Sequence, residues 1–317
     1  MIVWVLVLAV CFVAFTNGAN ANFKGVASLY GSGTTSLRRA ALWGTLTTFA
    51  GSVAALFITR GMLAAFSGRG IVPDALVAEP EFVCSVALGA AFTSFFATRL
   101  GFPVSTTHAL VGALVGAGLA GSGEVRFAAL GKNFVYPLVF SPVASAAAGA
   151  AVYALLRLCR LAPDHRTPIL DRLHFLSTGA ASFARGVNDT PKMAALLVVV
   201  PSFDLHWGFL LVAVTIALGG LLDITRVAET LGKKITGMNA GQGFAASLVT
   251  AGLVTTASLH SLPVSTTHVS VGSLTGMGFS AGRAHGRKVA EILLAWITTV
   301  PCGAVLAALA YGLITLF

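Results

Sequence analysis

Charged residues are scarce in this sequence. They make up 10% of the 317 residues, whereas hydrophobic residues make up 56%, and a typical soluble domain is about 25% charged. Residues 209–222 contain no charge, and residues 289–317 contain only Glu291. Helices that face water need more charge than this, so the composition excludes a soluble globular protein. It predicts an all-α polytopic membrane protein with room for roughly eight to ten embedded segments, since one span takes about 20 apolar residues.

Cysteine is also rare. The chain has four cysteines, and none stands at a spacing typical of a metal site or a redox pair. We assign no role to Cys11, Cys84, Cys159 and Cys302. The sequence is therefore interpreted without a metal site, a resident cofactor or a catalytic residue, and we do not expect an enzyme.

Acidic residues are outnumbered by basic ones. Lysine and arginine total 20 against 11 aspartates and glutamates, an excess that would suggest a nucleic-acid partner in a soluble protein. Here the charges cluster in short connections, such as residues 60–69, 126–132 and 226–234, and charge in such connections reflects membrane topology. We expect the lipid bilayer as the partner and no nucleic acid, in a multi-pass protein of the cell (inner) membrane. The sequence leaves a homodimer open.

The N-terminal segment has no positive charge before Lys24. Residues 1–15 are apolar, and Ala19-Asn20-Ala21 looks like a small-residue cleavage site. A secretory signal normally begins with a basic region. We therefore expect a retained first transmembrane segment rather than a cleaved signal.

One stretch of the sequence occurs twice. Residues 103–108 read Pro-Val-Ser-Thr-Thr-His, residues 263–268 repeat them, and 11 of 16 positions agree between residues 103–118 and 263–278. Agreement of this kind indicates an internal duplication. We predict three parts: a first repeat at residues 1–156, a linker at 157–172 and a second repeat at 173–317.

Each predicted repeat also contains a polar interruption of an apolar segment. The motif Gly-x-Asn-x-x-x-Lys ends at Lys24 in the first repeat and at Lys192 in the second. Polar backbone at membrane depth must face protein or a water-filled cavity, because lipid cannot satisfy it. We predict two broken segments and two re-entrant hairpin tips: broken segments at residues 17–33 and 185–200, and hairpin tips at 101–121 and 261–282.

Paired interruptions in corresponding positions point to a transporter site near the bilayer midplane. The two regions supply ammonium groups, hydroxyls, amides and the backbone N–H groups of helix starts, and these donors suit an oxyanion. Two lysines would balance a dianion, whose desolvation is otherwise costly. The candidate substrate-binding residues are Asn20, Lys24, Ser105, Thr106, Thr107, Asn188, Asp189, Lys192, Ser265, Thr266 and Thr267.

Several of these residues also allow plainer interpretations. Asp189 is an intramembrane acid that could accept a phosphate proton, pair with a lysine, bind a cation or carry a coupling proton. The alternative for the lysines is a structural ion pair or extension to the interface, and for the hydroxyls it is helix capping. His108 and His268 could carry protons, but a histidine after such a cap more often bonds its neighbours, so we expect both to hold the tips. We expect the glycines that follow them to allow close helix packing.

At these residues the sequence resembles the inorganic phosphate transporter (PiT) family. The most specific stretch begins with Arg226-Val-Ala-Glu-Thr-Leu-Gly-Lys-Lys, continues through Gly243-Phe-Ala-Ala and ends with the second tip at residues 262–268. The resemblance implies a secondary transporter built from inverted repeats, with substrate held between the signature segments and the re-entrant hairpins. It implies inorganic phosphate as the substrate, with sulfate or another oxyanion as the alternative, and a coupling ion that is H⁺ or Na⁺.

The sequence departs from the family pattern Gly-Ala-Asn-Asp-x-x-Asn-Ala. Lysine replaces the second Asn in both copies, Ala21 replaces the first Asp, and Ser247 stands where an acid is common. Each change removes a cation ligand or adds positive charge, so we expect proton coupling or no ion coupling. Asp189 favours phosphate, because a buried carboxylate can bond a P–OH but repels ionised sulfate. The alternative of another class is a non-transporting structural or sensory membrane protein.

Overall fold

The chain is almost entirely helical. The computed structural model describes residues 2–161, 163–200, 203–223 and 225–316, apart from the side chain of Arg60. Within these ranges no β-strand forms, which confirms the predicted all-α class. Ten of the helices in the described ranges have 15 residues or more: α1 Ile2–Ala21, α2 Leu37–Ile58, α3 Pro80–Arg99, α4 Thr106–Ser122, α5 Tyr136–Leu158, α6 Pro168–Ala194, α7 Leu205–Leu222, α8 Ala240–Leu259, α9 Thr266–Ser280 and α10 Gly286–Ile314.

Seven helical segments in the described part of the chain are long and apolar enough to cross a membrane. They are α1 with the turn after it, α2, α3, α5 with the turns before it, α7, α8 and α10. Of the other long helices, α4 and α9 have only 17 and 15 residues, and α6 is rich in polar residues. The prediction of eight to ten embedded segments counts short or broken segments of this kind in addition to full spans.

The long helices pack in corresponding pairs. Helix α1 packs against α3 and α7, and α6 packs in the same way against α8 and α2. Helix α4 packs against α10, and α9 packs against α5. Each half of the chain therefore places its short hairpin helix against the last helix of the other half. An inverted relation between the halves stays a prediction, as do the bounds 1–156 and 173–317, whose outermost residues lie outside the described ranges.

Glycines allow the hairpin helices to approach their neighbours closely. A Cβ atom on Gly116 of α4 would overlap the carbonyl oxygen of Ala304 in α10. A Cβ atom on Gly276 of α9 would likewise overlap the carbonyl oxygen of Ala146 in α5. The prediction that glycines after each tip serve helix packing is confirmed at these two positions.

Asp164 lies in the connection between the halves and ties this connection to one helix of each half. Its Oδ1 accepts hydrogen bonds from Tyr153 Oη of α5 at 2.5 Å and from Gln242 Nε2 of α8 at 3.0 Å. Arg157 Nε lies 3.3 Å from Asp164 Oδ2. The hydrogen bond from Tyr153, followed by that from Gln242 and the charge of Arg157, holds the pKa of the Asp164 carboxyl below its usual value.

Candidate functional site

The first signature motif lies where α1 ends. Beyond Ala21 the chain forms a 3₁₀ turn over Asn22–Gly25 and then the short helix Ala27–Gly31. Asn20 lies in the last turn of α1 and Lys24 in the 3₁₀ turn, and both side chains are buried. The interruption falls within the predicted segment 17–33, and it brings the Lys24 ammonium group into the protein interior.

The second signature motif lies inside a helix. The sequence predicted a broken segment at 185–200, but α6 continues to Ala194 and is followed by a 3₁₀ turn at Ala195–Leu197. The prediction was wrong for residues 185–194. Pro191 stands in the last turn of α6, where its missing N–H removes only one backbone hydrogen bond. The helix therefore ends after the motif rather than within it.

The continuous helix places three charged residues on one face of α6. Arg185, Asp189 and Lys192 follow one another at spacings of four and three residues, so they are neighbours on the helix surface. Each is at most 4% exposed. Lys192 Nζ lies 3.0 Å from Asp189 Oδ1, and Arg185 Nε lies 3.5 Å from Asp189 Oδ2. The Asp189 carboxylate is thus ion-paired through both oxygens.

Each hairpin tip begins its second helix with a serine cap. Ser105 Oγ accepts a hydrogen bond from the backbone N–H of His108, and Ser265 Oγ accepts one from the backbone N–H of His268, both at 3.2 Å. These contacts are the N-capping alternative that the sequence left open for the hydroxyls. The two serines orient the helix starts of α4 and α9.

Lys24 joins the two hairpin tips. Its Nζ donates to the carbonyl oxygen of Val104 in the first tip at 2.7 Å and to Thr267 Oγ1 in the second tip at 2.6 Å. Thr267 Oγ1 itself donates to the Val104 carbonyl oxygen at 2.9 Å. Among the described residues no carboxylate lies within ion-pair distance of Lys24. This ammonium group is therefore buried against neutral oxygens.

Lys192 makes the corresponding contacts from the other half. Its Nζ donates to the carbonyl oxygen of Val264 in the second tip at 2.9 Å and to Thr107 Oγ1 in the first tip at 3.0 Å. It differs from Lys24 through its additional bond to Asp189. Each lysine thus binds the backbone of its own half and a hydroxyl of the opposite half.

The remaining two threonines surround Asp189. Thr106 Oγ1 accepts from Asn17 Nδ2 at 2.8 Å, and the same Nδ2 lies 3.3 Å from Asp189 Oδ2. Thr266 Oγ1 donates to Asp189 Oδ2 at 3.4 Å. The structure therefore brings Thr106, Thr107, Thr266 and Thr267 together around the charged groups.

The two signature asparagines fix the hairpins instead of reaching between them. Asn20 Nδ2 donates to Thr98 Oγ1 at 3.0 Å, and its Oδ1 accepts from the backbone N–H of Val104 at 3.0 Å. Asn188 Oδ1 accepts from Ser258 Oγ at 3.3 Å. Each asparagine thus ties the signature helix to the hairpin of its own half.

Arg185 is a central residue to which the sequence analysis gave no role. Its guanidinium donates to Asn22 Oδ1 at 2.8 Å and to Asn17 Oδ1, in addition to its ion pair with Asp189. The signal was present in the sequence, because Arg185 and Asp189 stand four residues apart in a membrane segment, where charged residues are paired or functional. Three buried cationic residues and one buried carboxylate give this site a formal charge of +2.

The tip histidines form a layer beneath the caps. The His268 ring stacks on Trp296 at 4.0 Å between centroids and meets the His108 ring edge-on at 4.5 Å. His268 Nδ1 lies 2.8 Å from the carbonyl oxygen of Leu138, and Trp296 Nε1 donates to the carbonyl oxygen of Pro103 at 2.9 Å. These contacts agree with the expectation that the histidines hold the tips.

Ser247 borders a small hydroxyl-lined cavity next to Lys24. Ser247 Oγ lies 2.9 Å from Ser28 Oγ, which in turn lies 2.8 Å from His174 Nε2. The cavity beside them has a volume of about 10 Å³ and is also lined by Lys24, so it holds one water molecule at most. The position at which the family often carries an acid is here part of an uncharged chain of hydrogen bonds.

Fold and site together define a polytopic membrane protein with a buried, positively charged centre enclosed by two hairpin tips, which is the architecture of a membrane transporter. A sequence profile described as the Phosphate transporter family matches residues 17–168 and 160–307. The chain belongs to this family. It is accordingly a multi-pass protein of the cell membrane and not an enzyme.

Individual relatives cover nearly the whole chain. A probable low-affinity inorganic phosphate transporter of Rhizobium meliloti is 29% identical, covering 96% of this chain and 94% of its own length. A sulfate permease of Bacillus subtilis is 30% identical, covering 91% of this chain and 81% of its own length. A solved structure titled the sodium-dependent phosphate transporter shares the fold with a TM-score of 0.87 at 24% identity, over 100% of this chain and 99% of the other.

Proposed function

We propose that the chain is a secondary transporter that moves inorganic phosphate across the cell membrane. The proposal rests on the burial of Lys24, Arg185, Lys192 and Asp189, whose formal charges sum to +2, three cations less one carboxylate. Isolated buried charge is costly unless it is compensated. A divalent oxyanion such as monohydrogen phosphate would neutralise this cluster, and family membership supports the same substrate class.

The neutral donors around the cluster support an oxyanion as well. Thr107 and Thr267 each contact a lysine of the opposite half, so their hydroxyls point at the charged centre from two sides. A tetrahedral anion accepts hydrogen bonds from many directions, and bonds from charged donors are the strong ones. We assign direct contact with the anion to Lys24, Lys192, Thr107 and Thr267.

The other candidate residues receive supporting roles in this proposal. Ser105 and Ser265 cap the helix starts, and Asn20 and Asn188 brace the hairpins. Thr266 bonds Asp189 directly, and Thr106 is linked to it through Asn17. These residues would shape the site, and their replacement should alter the position of the lysine partners.

Sulfate is the second candidate, favoured by a specific observation at Asp189. A carboxylate offers about four lone-pair sites, and Asp189 already accepts from Lys192, Asn188, Asn17 and Thr266. It can bond a phosphate hydroxyl only by giving up one of these donors. The 30% identity to a sulfate permease points the same way.

Asp189→Asn tests the role of this carboxylate. The change should shift the phosphate-to-sulfate preference if Asp189 accepts a hydrogen bond from the P–OH group, and an unchanged preference would remove that argument for phosphate.

For coupling, we propose that fixed ammonium groups take the place of bound sodium. Lys24 Nζ and Lys192 Nζ sit among carbonyl, hydroxyl and carboxylate oxygens at distances from 2.6 to 3.0 Å. Oxygen atoms so arranged would otherwise suit a small cation. Transport would then be coupled to protons or proceed without a coupling ion.

One uptake experiment tests substrate and coupling together. Purified protein in proteoliposomes is given radiolabelled phosphate or, in a parallel set, radiolabelled sulfate, with and without a sodium gradient and with and without a pH gradient, and the other anion is added unlabelled as competitor. We expect phosphate uptake without sodium. Strict dependence on sodium would refute the coupling proposal, and the absence of both phosphate and sulfate uptake would refute transport of these anions and favour the structural or sensory alternative.

A further inference from the structure

A second cationic cavity lies outside the first hairpin tip. It has a volume of about 230 Å³, and its walls are residues 99–102 at the end of α3 and the start of the tip, the short helical segment between α7 and α8 (Thr225–Glu229 and Thr230–Lys234), and the start of α10. Four of its nine lining residues are cationic and one is acidic: Arg99, Arg226, Lys234 and Lys288 against Glu229. The cationic side chains are exposed or half-buried, so the cavity is accessible from solvent.

Contacts between the backbone and side chains hold the two main walls together. Arg226 donates to the carbonyl oxygen of Arg99, and Thr230 Oγ1 donates to the carbonyl oxygen of Gly101 at 2.9 Å. Because both walls are fixed, the cationic groups converge on one volume instead of spreading over a flexible surface. Lys288 Nζ lies 5.4 Å from the centroid of the Phe102 ring at the floor of the cavity.

Only part of this positive charge is neutralised by neighbouring acids. Arg99 lies 3.7 Å from Asp223, and Lys288 lies 2.8 Å from Glu291. In the part of the chain that the structure describes, no carboxylate lies within ion-pair distance of Arg226 or Lys234. Lys234 and the guanidinium N–H groups of Arg226 that do not bond the Arg99 carbonyl oxygen remain available to a ligand, and arginine in particular matches the geometry of phosphate oxygens.

The cavity shares a wall with the lysine site. The carbonyl oxygen of Phe102, which lines the cavity, accepts from Asn20 Nδ2 at 2.9 Å, and the carbonyl oxygen of Val104 two residues later accepts from Lys24. The short peptide segment 102–104 therefore separates the cavity from the Lys24 ammonium group.

The second tip does not repeat two of the residues that line this cavity. The residues that correspond to Arg99 and Phe102, counted back from the proline of each tip, are Leu259 and Leu262. We propose that this cavity is a second binding site for a phosphate-type oxyanion, filled either by inorganic phosphate on its way to the lysine site or by the phosphate group of an anionic lipid.

The first arm of the test measures inorganic phosphate binding with the lysine site disabled. Purified Lys24→Gln/Lys192→Gln protein should retain weak binding of radiolabelled phosphate. Adding Arg226→Gln/Lys234→Gln should weaken that binding by about tenfold or more, since two charge-assisted donors of the cavity are lost. The matched control is Arg126→Gln/Lys132→Gln, which removes the same charge from an exposed surface elsewhere and should leave the binding unchanged.

The second arm identifies a lipid occupant. Uptake of phosphate by the chain with its lysine site intact is compared in vesicles of phosphatidylcholine alone and of an equimolar mixture with phosphatidylglycerol. If phosphatidylglycerol changes uptake in the wild type and the control but not in the Arg226→Gln/Lys234→Gln variant, the occupant is a lipid headgroup. If the double variant folds poorly, Lys234→Gln alone is used instead, because it removes no hydrogen bond made by the Arg226 side chain. It should reduce the effect of phosphatidylglycerol on uptake in the same direction but to a smaller extent.

The proposal is overturned if phosphate binding to the lysine-disabled protein does not depend on Arg226 and Lys234 and if these residues also make no difference to the effect of phosphatidylglycerol. This outcome is distinct from failure of the proposed transport function, which wild-type uptake measures by itself.

Discussion

Lys24 and Lys192 make similar contacts, yet replacing them by methionine should change stability in opposite directions. Lys24 is buried against the neutral oxygens of Val104 and Thr267. A buried charge without a counter-charge carries a desolvation cost that an apolar side chain of similar size does not, and even buried ion pairs can often be replaced by apolar residues with a neutral or stabilising effect. The Val104 carbonyl oxygen keeps its hydrogen bond from Thr267 after the change. Lys24→Met should therefore raise the free energy of unfolding of the ligand-free protein by about 1–3 kcal/mol.

Lys192→Met should lower that free energy, because Lys192 is half of a buried ion pair with Asp189. Removing one partner of such a pair costs about 3–5 kcal/mol, since the other charge is left buried without compensation. Arg185 still lies 3.5 Å from the second carboxylate oxygen and offsets part of the loss. We expect a destabilisation of about 2–4 kcal/mol.

Both variants should nevertheless lose anion binding. Each removes one charged donor from the site, and a hydrogen bond to a charged group contributes about 1.5–3 kcal/mol. The KM for phosphate uptake should rise about 10- to 100-fold in each variant. Lys24→Met should therefore raise stability while it weakens transport, whereas Lys192→Met should lower both.

Two measurements on the same preparations test this reasoning. Thermal unfolding in detergent, at one heating rate because membrane proteins often unfold irreversibly, should give a higher apparent Tm for Lys24→Met and a lower one for Lys192→Met. Uptake into proteoliposomes gives the KM values, and Lys132→Met, an exposed position, serves as the control. Equal destabilisation by the two changes would refute the assignment of Lys24 as the uncompensated charge.

Three further predictions concern the tips, the helix packing and the connection between the halves. Ser261 has φ of 55° where the first tip has Gly101, so Ser261→Gly should stabilise by about 1 kcal/mol, visible as a higher apparent Tm. Gly276→Ala should destabilise by about 1–3 kcal/mol or more, since the added methyl overlaps a carbonyl oxygen of α5, and size-exclusion chromatography with thermal unfolding would show it. The lowered pKa of Asp164 stabilises the fold above the ordinary aspartate range, and this contribution is lost as the pH falls through the folded-state pKa. Tyr153→Phe should reduce this acid sensitivity in unfolding scans across pH, and an unchanged profile would contradict it.

Much of the architecture is readable from the sequence for a physical reason. Low charge and long apolar runs define membrane helices with little need of tertiary context, and a repeated hexapeptide marks the two tips wherever they lie. The same reasoning fails at residues 185–194, where glycine and polar residues suggested a break. Buried ion pairs and neighbouring helices satisfy the polar groups of α6 there, so the helix continues through them.

Side-chain contacts between residues of opposite halves cannot be predicted from the local sequence. Lys24 and Thr267 were both candidates, but their contact joins residues far apart in the chain, and only the packing of helices from opposite halves brings them together. Arg185 was missed because it lies one residue before the motif. Its partner Asn17 lies one residue before the first motif in the same way, and its partner Asn22 lies within that motif, so the charged centre is wider than either motif.

Asp189 makes the two halves unequal, and this inequality has a consequence for binding. Lys192 is already compensated by Asp189, whereas Lys24 is held only by neutral oxygens of both tips. An anion entering the site therefore gains most from Lys24. Two of the three N–H groups of the Lys24 ammonium bond Val104 and Thr267, so one is left for the anion. A second can turn toward the anion only by releasing Val104 or Thr267, and these contacts connect the first tip to the second. We expect anion binding to weaken the contact between the tips at Lys24 first, while Lys192 stays in its ion pair with Asp189.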